Sequence, residues 1–230
     1  MGTAMILAAG RGERLRPLTD ATPKPLLPAG GKPLIVWQIE ALARAGFRTL
    51  VINAAYLADR LVDALGDGRA YGVRIHWSLE AEPLETGGGI ATALPLLPEG
   101  PVPVVSGDVW TTYDYGSLRA RCDTMALDGA APRVHLVMVP NPPYHAAGDF
   151  ALEGTRIHAD GPQKLTYGNI GIYDTTLFRD CPRHSKVKLL PLLRDWIHRG
   201  LVSGERYDGS WANVGTAADL AALDSALGAR

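Results

Sequence analysis

Cysteine is scarce in this sequence of 230 residues, and long hydrophobic runs are missing from it. The two cysteines, Cys122 and Cys181, are far apart and form no Cys-x-x-Cys pair, which argues against a disulfide framework and a zinc ribbon. We therefore expect a protein of the reducing cytoplasm. Glycine, proline or a charged residue interrupts every apolar stretch well before the roughly 18 residues that a membrane span needs, so no association with a membrane is expected.

The sequence also lacks an excess of charge of either sign. It contains 23 lysine and arginine residues against 24 aspartate and glutamate residues, a formal net charge of -1. This balance argues against a protein that binds nucleic acid through bulk positive charge. The hydrophobic share of 47% predicts a globular protein with a substantial core. At this length we expect one domain over residues 1–230.

Strands and helices are predicted to alternate through the first 140 residues. Short apolar runs predict strands over residues 4–9, 49–53, 73–78, 101–105 and 133–139. Helical periodicity and end signals predict helices over residues 33–45, 58–65 and 89–97. Repeated strand-helix-strand units indicate a Rossmann-like α/β fold, with a doubly wound, mostly parallel sheet and helices on both faces. Such sheets bind ligands outside the carboxyl ends of their strands.

The pattern changes after Pro140. A hairpin is predicted over residues 149–153 and 155–159 around Gly154, followed by a strand over 165–173 and helices over 187–199 and 216–227. No linker, repeat or low-complexity segment separates this part from the first. We interpret it as a small β-rich insertion within one domain, and residues 141–148 as a loop on the substrate side.

A basic, glycine-rich segment follows the first predicted strand. Residues 1–33 contain five basic residues, Arg11, Arg14, Arg16, Lys24 and Lys32, against two acids, a local net charge of +3. Glycines at this position let backbone N–H groups approach phosphate oxygens closely. Lys24 stands between two prolines, which predicts a stiff, extended backbone that aims its ammonium group. These features favour an anion site, although a tight turn with surface arginines is the alternative for the glycines alone.

Two familiar phosphate motifs do not fit this segment. Leu15 stands where a dinucleotide fingerprint requires its third glycine. The Gly31-Lys32 pair is followed by Pro33, whereas a Walker loop requires serine or threonine there. A nicotinamide-dependent oxidoreductase is therefore disfavoured.

The run Leu-Ala-Ala-Gly-x-Gly-x-Arg-Leu-x-Pro-Leu-Thr over residues 7–19, followed by Pro-Lys-Pro-Leu over residues 23–26, resembles the signature of the sugar-1-phosphate nucleotidyltransferases. The resemblance implies the GT-A-like nucleotidyltransferase fold, with a nucleotide-binding half over residues 1–140 and a sugar-binding half over 141–230. It also implies an enzyme that takes a nucleoside triphosphate and a sugar 1-phosphate. The nucleotide-binding residues that it implies here are Ala8, Ala9, Gly10, Gly12, Arg14 and Lys24.

Two further segments extend the resemblance toward the base and a metal ion. Glu80, Thr86 and Gly88 lie in the stretch that holds base and ribose in the family, although its three glycines alone would also suit a flexible turn. Ser106 and Asp108 follow a predicted buried strand, where an aspartate can hold Mg²⁺. Ser106 is therefore a further nucleotide-binding candidate and Asp108 a metal ligand. Arg14, Lys24 and Asp108 are the implied catalytic residues.

The sequence departs from the family pattern at the second metal position. The run Trp-Ala-Asn-Val-Gly-Thr over residues 211–216 matches the family's Trp-x-Asp-x-Gly-Thr, with Asn213 in place of the metal-binding aspartate. The amide keeps an oxygen for Mg²⁺ but loses a charge, so we expect weaker metal binding. The sugar-binding candidates are Asn141, Gly148, Asp149 and Asn169, and ordinary turn roles are nearly equal alternatives for them.

Within the family, the short chain and its Glu-Pro-Leu-Glu-Thr-Gly-Gly-Gly and Gly-Asp-Phe runs are most similar to the uridylyltransferases of bacterial cell-wall recycling, which use N-acetylmuramic acid 1-phosphate. This resemblance implies UTP as the nucleotide. Glucose- or mannose-1-phosphate nucleotidyltransferases using dTTP or GTP are the alternatives. A further alternative, suggested by Asn213, is a regulatory protein that binds a nucleotide sugar without catalysing a reaction. The oligomeric state stays open, with a monomer among the options.

Overall fold

The computed structural model describes residues 2–128 and 132–228, and only the backbone of Asp128. Its strands are β1 (Gly2–Leu7), β2 (Pro28–Ala29), β3 (Lys32–Pro33), β4 (Phe47–Ala54), β5 (Arg74–Leu79), β6 (Pro101–Ser106), β7 (Val109–Thr111), β8 (Val134–Val139), β9 (Phe150–Glu153), β10 (Arg156–His158), β11 (Lys164–Asp174), β12 (Val202–Arg206) and β13 (Trp211–Asn213). Its helices are α1 (Leu34–Arg44), α2 (Ala58–Leu65), α3 (Glu85–Ala93), α4 (Tyr115–Asp128), α5 (Leu189–His198) and α6 (Ala217–Gly228). None of the helices in these ranges is long and apolar enough to cross a membrane.

Nine strands form one sheet in the order β5-β4-β1-β6-β11-β8-β12-β10-β9. Strands β5, β4, β1 and β6 are parallel, so their carboxyl ends meet at one edge. Strand β11 is antiparallel to both β6 and β8, and β9 and β10 form a hairpin at the far side. Two small sheets, β2 with β3 and β7 with β13, lie apart from the main one.

Helices cover both faces of the large sheet. Side chains alternate along β1, so that Ala4 and Ile6 pack in the core cluster that includes α1, α2 and α4, while Met5 packs in the cluster that includes α3 and α5. A third cluster joins Leu15 of the glycine-rich segment to Val214 near the carboxyl end. This last cluster fixes the loops that border the candidate site. The doubly wound α/β class is confirmed, with an all-parallel part from β5 to β6 and a mixed part beyond β6, in which β8 and β12 are parallel and the other pairs antiparallel.

Most predicted elements are confirmed to within two residues at each end, including the hairpin after Pro140. The helix predicted over residues 89–97 is shifted: α3 covers Glu85–Ala93 and includes all three glycines. It ends there because Pro95 has no N–H to donate to the carbonyl of Ala91, four residues earlier. The chain continues as a single 3-10 turn over Leu94–Leu96.

Several elements have no counterpart among the predicted ones. Helix α4 buries Tyr115, Leu118 and Met125 on one face, and the side chain of Asp114 accepts a hydrogen bond from the Gly116 N–H at its start. Strands β7, β12 and β13 were also absent from the prediction, because each has at most five residues and little apolar alternation. Strands β7 and β13 matter most here, since they position the candidate metal ligands.

Candidate active site

A cavity of about 690 Å³ opens at the shared carboxyl edge of β1, β4 and β6. This is the edge at which parallel α/β sheets bind their ligands. The predicted site residues that line it are Ala8, Gly10, Gly12, Arg14, Lys24 and Asp108. A smaller adjoining space, lined by Ala9, Glu80, Thr86 and Ser106, shares Gly10 and Asp108 with it. The structure thus brings nearly all of the predicted nucleotide-binding and catalytic residues together.

The glycine-rich segment turns sharply at Gly12, whose φ of 65° lies in the left-handed region. The carbonyl oxygen of Gly12 accepts hydrogen bonds from the Leu15 N–H and the Thr19 hydroxyl, both at 2.9 Å. Leu15 is fully buried, which anchors the turn in the third core cluster. Gly10 is exposed and has no neighbour within 4 Å of the position where a Cβ would be. The loop is therefore rigid at Gly12 and open at Gly10.

Lys24 forms an ion pair with Asp108 across the floor of this cavity. The side chain of Lys24 is 12% exposed and that of Asp108 is 26% exposed, so both remain within reach of a ligand. The expectation of extended backbone at Lys24 is wrong, because Lys24 begins a single 3-10 turn closed by the Leu26 N–H on the Pro23 carbonyl at 2.8 Å. The buried prolines on either side still hold the lysine in place.

A hydrogen-bonded relay connects the glycine-rich segment with the segment after β5. The Ala8 N–H donates to Oδ1 of Asn53 at 2.8 Å, and Nδ2 of Asn53 donates to Oε1 of Glu80 at 2.7 Å. The other carboxylate oxygen of Glu80 accepts the Leu84 N–H at 3.2 Å. Burial raises the pKa of Glu80, while the bonds from Asn53 and Leu84 act in the opposite direction. Glu80 thus holds Asn53 and the backbone at Leu84 in place along the cavity wall.

Asn53 was missed by the sequence reasoning. It is a buried polar residue near the carboxyl end of β4, a parallel strand beside β1. The argument that selected Asp108, a polar side chain at the end of a buried strand, applies equally to Asn53. Its signal was therefore present in the sequence.

Two of the three glycines of α3, Gly87 and Gly88, contact a neighbouring segment of chain, and the third, Gly89, packs against Asn53 and Glu80. A Cβ on Gly87 would come within 2.8 Å of the Val187 carbonyl oxygen, and one on Gly88 would collide with the Ser185 carbonyl. The Gly88 N–H donates to the Val187 carbonyl at 3.1 Å. These contacts explain why glycines stand inside a helix, where they are otherwise unfavourable. Contact of Gly88 with a nucleotide stays a prediction, whereas Thr86 lines the smaller space.

Asp108 and Asn213 are brought together by the β7–β13 pair, although the sequence separates them widely. Val109 pairs with Asn213, and the Val214 N–H donates to the Asp108 carbonyl at 3.0 Å. Their side chains offer carboxylate and amide oxygens, the donors that Mg²⁺ prefers. Within residues 2–128 and 132–228, no group of three or more His, Cys, Asp or Glu side chains is arranged to hold a metal. The residues fit a Mg²⁺ ion that takes its remaining oxygens from phosphates and water.

A second cavity, of about 570 Å³, adjoins the first through Leu7 and Glu85, which line both. It contains the predicted residues Thr86, Ser106, Asp149, Asn169 and Asn213. The carboxylate of Asp149 is fixed by Nε2 of His145 at 3.0 Å and the Tyr167 N–H at 2.8 Å. Asn169 has a φ of 57° and lies where the pairing of β11 with β8 shifts register.

Asn141 and Gly148 close the loop between β8 and β9. Nδ2 of Asn141 donates to the carbonyls of Ala146 and Lys164 at 3.1 and 2.9 Å, and Oδ1 accepts the Thr166 hydroxyl at 2.9 Å. Gly148 has a φ of 62°, and a Cβ there would come within 2.8 Å of Oδ1 of Asn141. These two residues therefore serve the loop itself, and their contact with a sugar stays a prediction.

The family follows from comparison with known proteins. Residues 3–145 match the profile described as nucleotidyl transferase. The chain belongs to this family. It is 46% identical over 230 residues to the N-acetylmuramate alpha-1-phosphate uridylyltransferase of Neisseria meningitidis serogroup B, covering 98% of each chain. It is also 36% identical to the protein of the same name from Caulobacter vibrioides, over 92% of this chain and 91% of that one. The sugar-1-phosphate nucleotidyltransferase family implied by the sequence is thus confirmed.

The fold of this nucleotidyltransferase is shared with a solved structure of low sequence identity. A Bacillus anthracis protein described as a glucose-1-phosphate thymidylyltransferase, in complex with sucrose, superposes with a TM-score of 0.85 at 18% identity. The match covers 99% of this chain and 96% of that one. The predicted nucleotidyltransferase fold is therefore confirmed over the whole length.

Replacing Glu80 with glutamine should weaken nucleotide binding and lower stability. Both carboxylate oxygens accept hydrogen bonds, so the new NH₂ group would face either Nδ2 of Asn53 or the Leu84 N–H. One buried donor then stays unsatisfied, which costs about 1–3 kcal/mol. If Asn53 rotates to compensate, the Ala8 N–H loses its acceptor and the glycine-rich segment shifts. We expect KM for the nucleotide to rise about tenfold, with a smaller change in kcat.

Denaturant unfolding and steady-state kinetics of the Glu80→Gln enzyme check this expectation. Glu99→Gln is the matched control, because Glu99 is an exposed residue that pairs with Arg179 at 2.6 Å on the surface. Its effect on stability should stay within about 0.5 kcal/mol. Equal, small effects of the two substitutions would contradict the role of the relay.

Proposed function

We propose that this nucleotidyltransferase joins UTP and N-acetylmuramic acid 1-phosphate, giving the UDP-sugar and pyrophosphate. The observation that carries the proposal is the pair of adjoining cavities, one lined by the glycine-rich segment with Arg14 and Lys24 and a second one beside it, which offers room for two substrates side by side. The full-length relatives named as uridylyltransferases support the choice of base and sugar. We also propose a cytoplasmic location and a role in cell-wall recycling.

In this reaction an oxygen of the sugar phosphate attacks the α-phosphorus of UTP. A new P–O bond forms there, and the bond to the bridging oxygen of the β-phosphate breaks in line, so that pyrophosphate leaves. No protein nucleophile is required, and rate enhancement comes from positioning and from neutralising charge. Arg14 and Lys24 bring positive charge to the first cavity. The backbone N–H groups of residues 9–12 bind the triphosphate in the open part of the loop, because the Ala8 N–H is already bonded to Asn53.

Lys24 has two alternative partners in the proposed cycle. In the free enzyme its ammonium pairs with Asp108. When the triphosphate arrives, the phosphate oxygens offer a stronger cluster of negative charge, and Lys24 exchanges its partner. The carboxylate of Asp108 then becomes available for Mg²⁺, together with the amide oxygen of Asn213. When bound, Mg²⁺ neutralises charge on the phosphate oxygens.

Replacing Asn213 with aspartate should lower the Mg²⁺ concentration that gives half-maximal activity. The substitution adds a negative charge at the position that β7 and β13 place next to Asp108, and metal affinity rises with ligand charge. We expect a decrease of about threefold to tenfold. Initial rates across a Mg²⁺ titration measure it, with thermal unfolding in EDTA to check the fold. Asn213→Ala should move the midpoint upward, and identical midpoints in all three enzymes would exclude Asn213 as a ligand.

Pyrophosphate release with Mg²⁺ over a matrix of UTP, dTTP, GTP and ATP against several sugar 1-phosphates tests the proposed function. We expect the highest kcat/KM for UTP with N-acetylmuramic acid 1-phosphate. A higher value for a glucose or mannose phosphate with dTTP or GTP would select one of the alternatives. Nucleotide binding without pyrophosphate release from any pair would show a regulatory protein and overturn the proposal.

A further inference from the structure

The second cavity contains a lysine without a partner. Lys188 lines this cavity directly before α5, and in the described ranges its side chain has no ion pair or hydrogen bond. It is exposed, so its charge is available to a ligand. Leu189, Leu190 and Leu193 of the first turns of α5 line the cavity beside it.

The other lysines and the histidine that line the two cavities have partners, and the arginines there, Arg11 and Arg14, line only the first cavity. Lys24 pairs with Asp108, and Lys186, two residues before Lys188, pairs with Glu82 at 2.5 Å. His145 in the second cavity bonds to Asp149 at 3.0 Å. Lysine side chains on a protein surface usually find counter-ions or point into solvent. One that lines a cavity with a free ammonium group offers a site for an anion.

The proposed sugar substrate supplies such an anion in addition to its phosphate. N-acetylmuramic acid carries a lactyl ether at O3 of the ring, which ends in a carboxylate, whereas N-acetylglucosamine has a hydroxyl there. Glu85 and Asp149 give the second cavity negative charge of its own. A carboxylate brought into this cavity therefore needs a cation to offset both the repulsion and the loss of water.

We propose that Lys188 binds the lactyl carboxylate and thereby selects N-acetylmuramic acid 1-phosphate over sugars that lack the carboxylate. This inference rests on the proposed function, and it assigns a specificity role to a residue outside the signature motifs. The first turn of α5 adds the positive end of its dipole to the same wall of the cavity. A charge-assisted pair of this kind is stronger than a neutral hydrogen bond.

The position of Lys188 separates it from the reacting phosphates. Arg14, Lys24 and Asp108 line the first cavity, and Lys188 lines only the second. The two cavities meet at Leu7 and Glu85, so the sugar phosphate lies toward that junction and the ring extends away from it. A cation that lines the second cavity and not the first is placed to meet ring substituents. It therefore discriminates between sugars and leaves the chemistry of the phosphates unchanged.

The test compares kcat/KM for N-acetylmuramic acid 1-phosphate and N-acetylglucosamine 1-phosphate, with saturating UTP, in the wild-type enzyme and in Lys188→Met. We expect the ratio of the two values to fall about tenfold to a hundredfold, chiefly through KM of the carboxylate sugar. Lys188→Arg should restore most of the preference. Arg194→Met is the control, because it removes the same charge from an exposed position on the same helix and outside the lining of the second cavity.

The outcomes separate the two proposals. If the wild-type enzyme prefers the carboxylate sugar and Lys188→Met keeps that preference, the role of Lys188 is overturned and the proposed function stands. Equal losses for both sugars would show that Lys188 acts on the phosphate and would also overturn the role. If the wild-type enzyme turns over N-acetylglucosamine 1-phosphate faster, the proposed substrate is wrong and the role of Lys188 is rejected with it.

Discussion

Replacing Lys24 with methionine is expected to reduce kcat about a hundredfold to a thousandfold while leaving a folded protein. Lys24 lines the first cavity, in which we propose that the triphosphate binds, and it is the cation in contact with Asp108. Its loss removes positive charge from that cavity. The partner that stays behind, Asp108, is 26% exposed and can be hydrated. Pyrophosphate release at saturating substrates gives kcat, and thermal unfolding shows that the variant is folded.

Lys32→Met is the matched control for this experiment. Lys32 also belongs to the basic segment of residues 1–33, pairs with Glu40 at 2.6 Å and lies over the ring of Trp37 at 3.9 Å. It does not line the first or the second cavity. Its substitution should lower stability modestly and leave kcat near the wild-type value. A Lys24 variant with near wild-type kcat would exclude Lys24 from catalysis.

Replacing Gly12 with alanine should destabilise the protein by about 2–4 kcal/mol and abolish most activity. The φ of 65° is unfavourable for any L-residue with a side chain, and the new Cβ would come within 2.9 Å of Cγ2 of Thr19 and 3.0 Å of Cβ of Lys24. The Lys24 backbone would have to move to relieve the contact. Denaturant unfolding measures the loss of stability. The measured kcat reports the effect of displacing Lys24.

The Gly10→Ala variant distinguishes two reasons for a glycine in this loop. One is packing within the folded protein, and the other is close approach of the backbone to the ligand. A Cβ on Gly10 meets nothing within 4 Å in the free protein, so we expect wild-type stability. If the loop backbone approaches a triphosphate as proposed, the added methyl group raises KM for the nucleotide. A Gly10 variant with unchanged KM would contradict close approach of the backbone at this position.

The sequence predicts the central parallel strands β1, β4 and β6 well, because most of their residues are buried and form apolar runs. Helix α4 had a usable signal, since Tyr115, Leu118, Cys122 and Met125 recur every three or four residues. Strands β7 and β13 are different: each has three residues, and they exist because they pair with one another. A local pattern holds no information about a partner that lies about a hundred residues away.

The same difference between local patterns and long-range contacts explains which residues of the candidate site could be predicted. The glycine-rich segment, Lys24 and Asp108 belong to short motifs whose backbone requirements can be inferred locally, and they do line one cavity. For Gly88, the resemblance implies a contact with the nucleotide, whereas the group that approaches it in the structure is the Ser185 carbonyl. Asn141 likewise uses its amide within its own loop. The sequence shows that such a position tolerates few residue types. The tertiary contacts determine which neighbouring group imposes that restriction.

The relay from Ala8 through Asn53 and Glu80 to Leu84 has a consequence for changing the base preference of this enzyme. The wall that would meet the base and the loop that would meet the triphosphate share one buried asparagine. Substitutions that reshape the wall near Glu80 will therefore alter triphosphate affinity as well. An effort to obtain a dTTP or GTP enzyme from this scaffold should keep Asn53 and Glu80 fixed and vary the residues around them, with both KM values followed at every step.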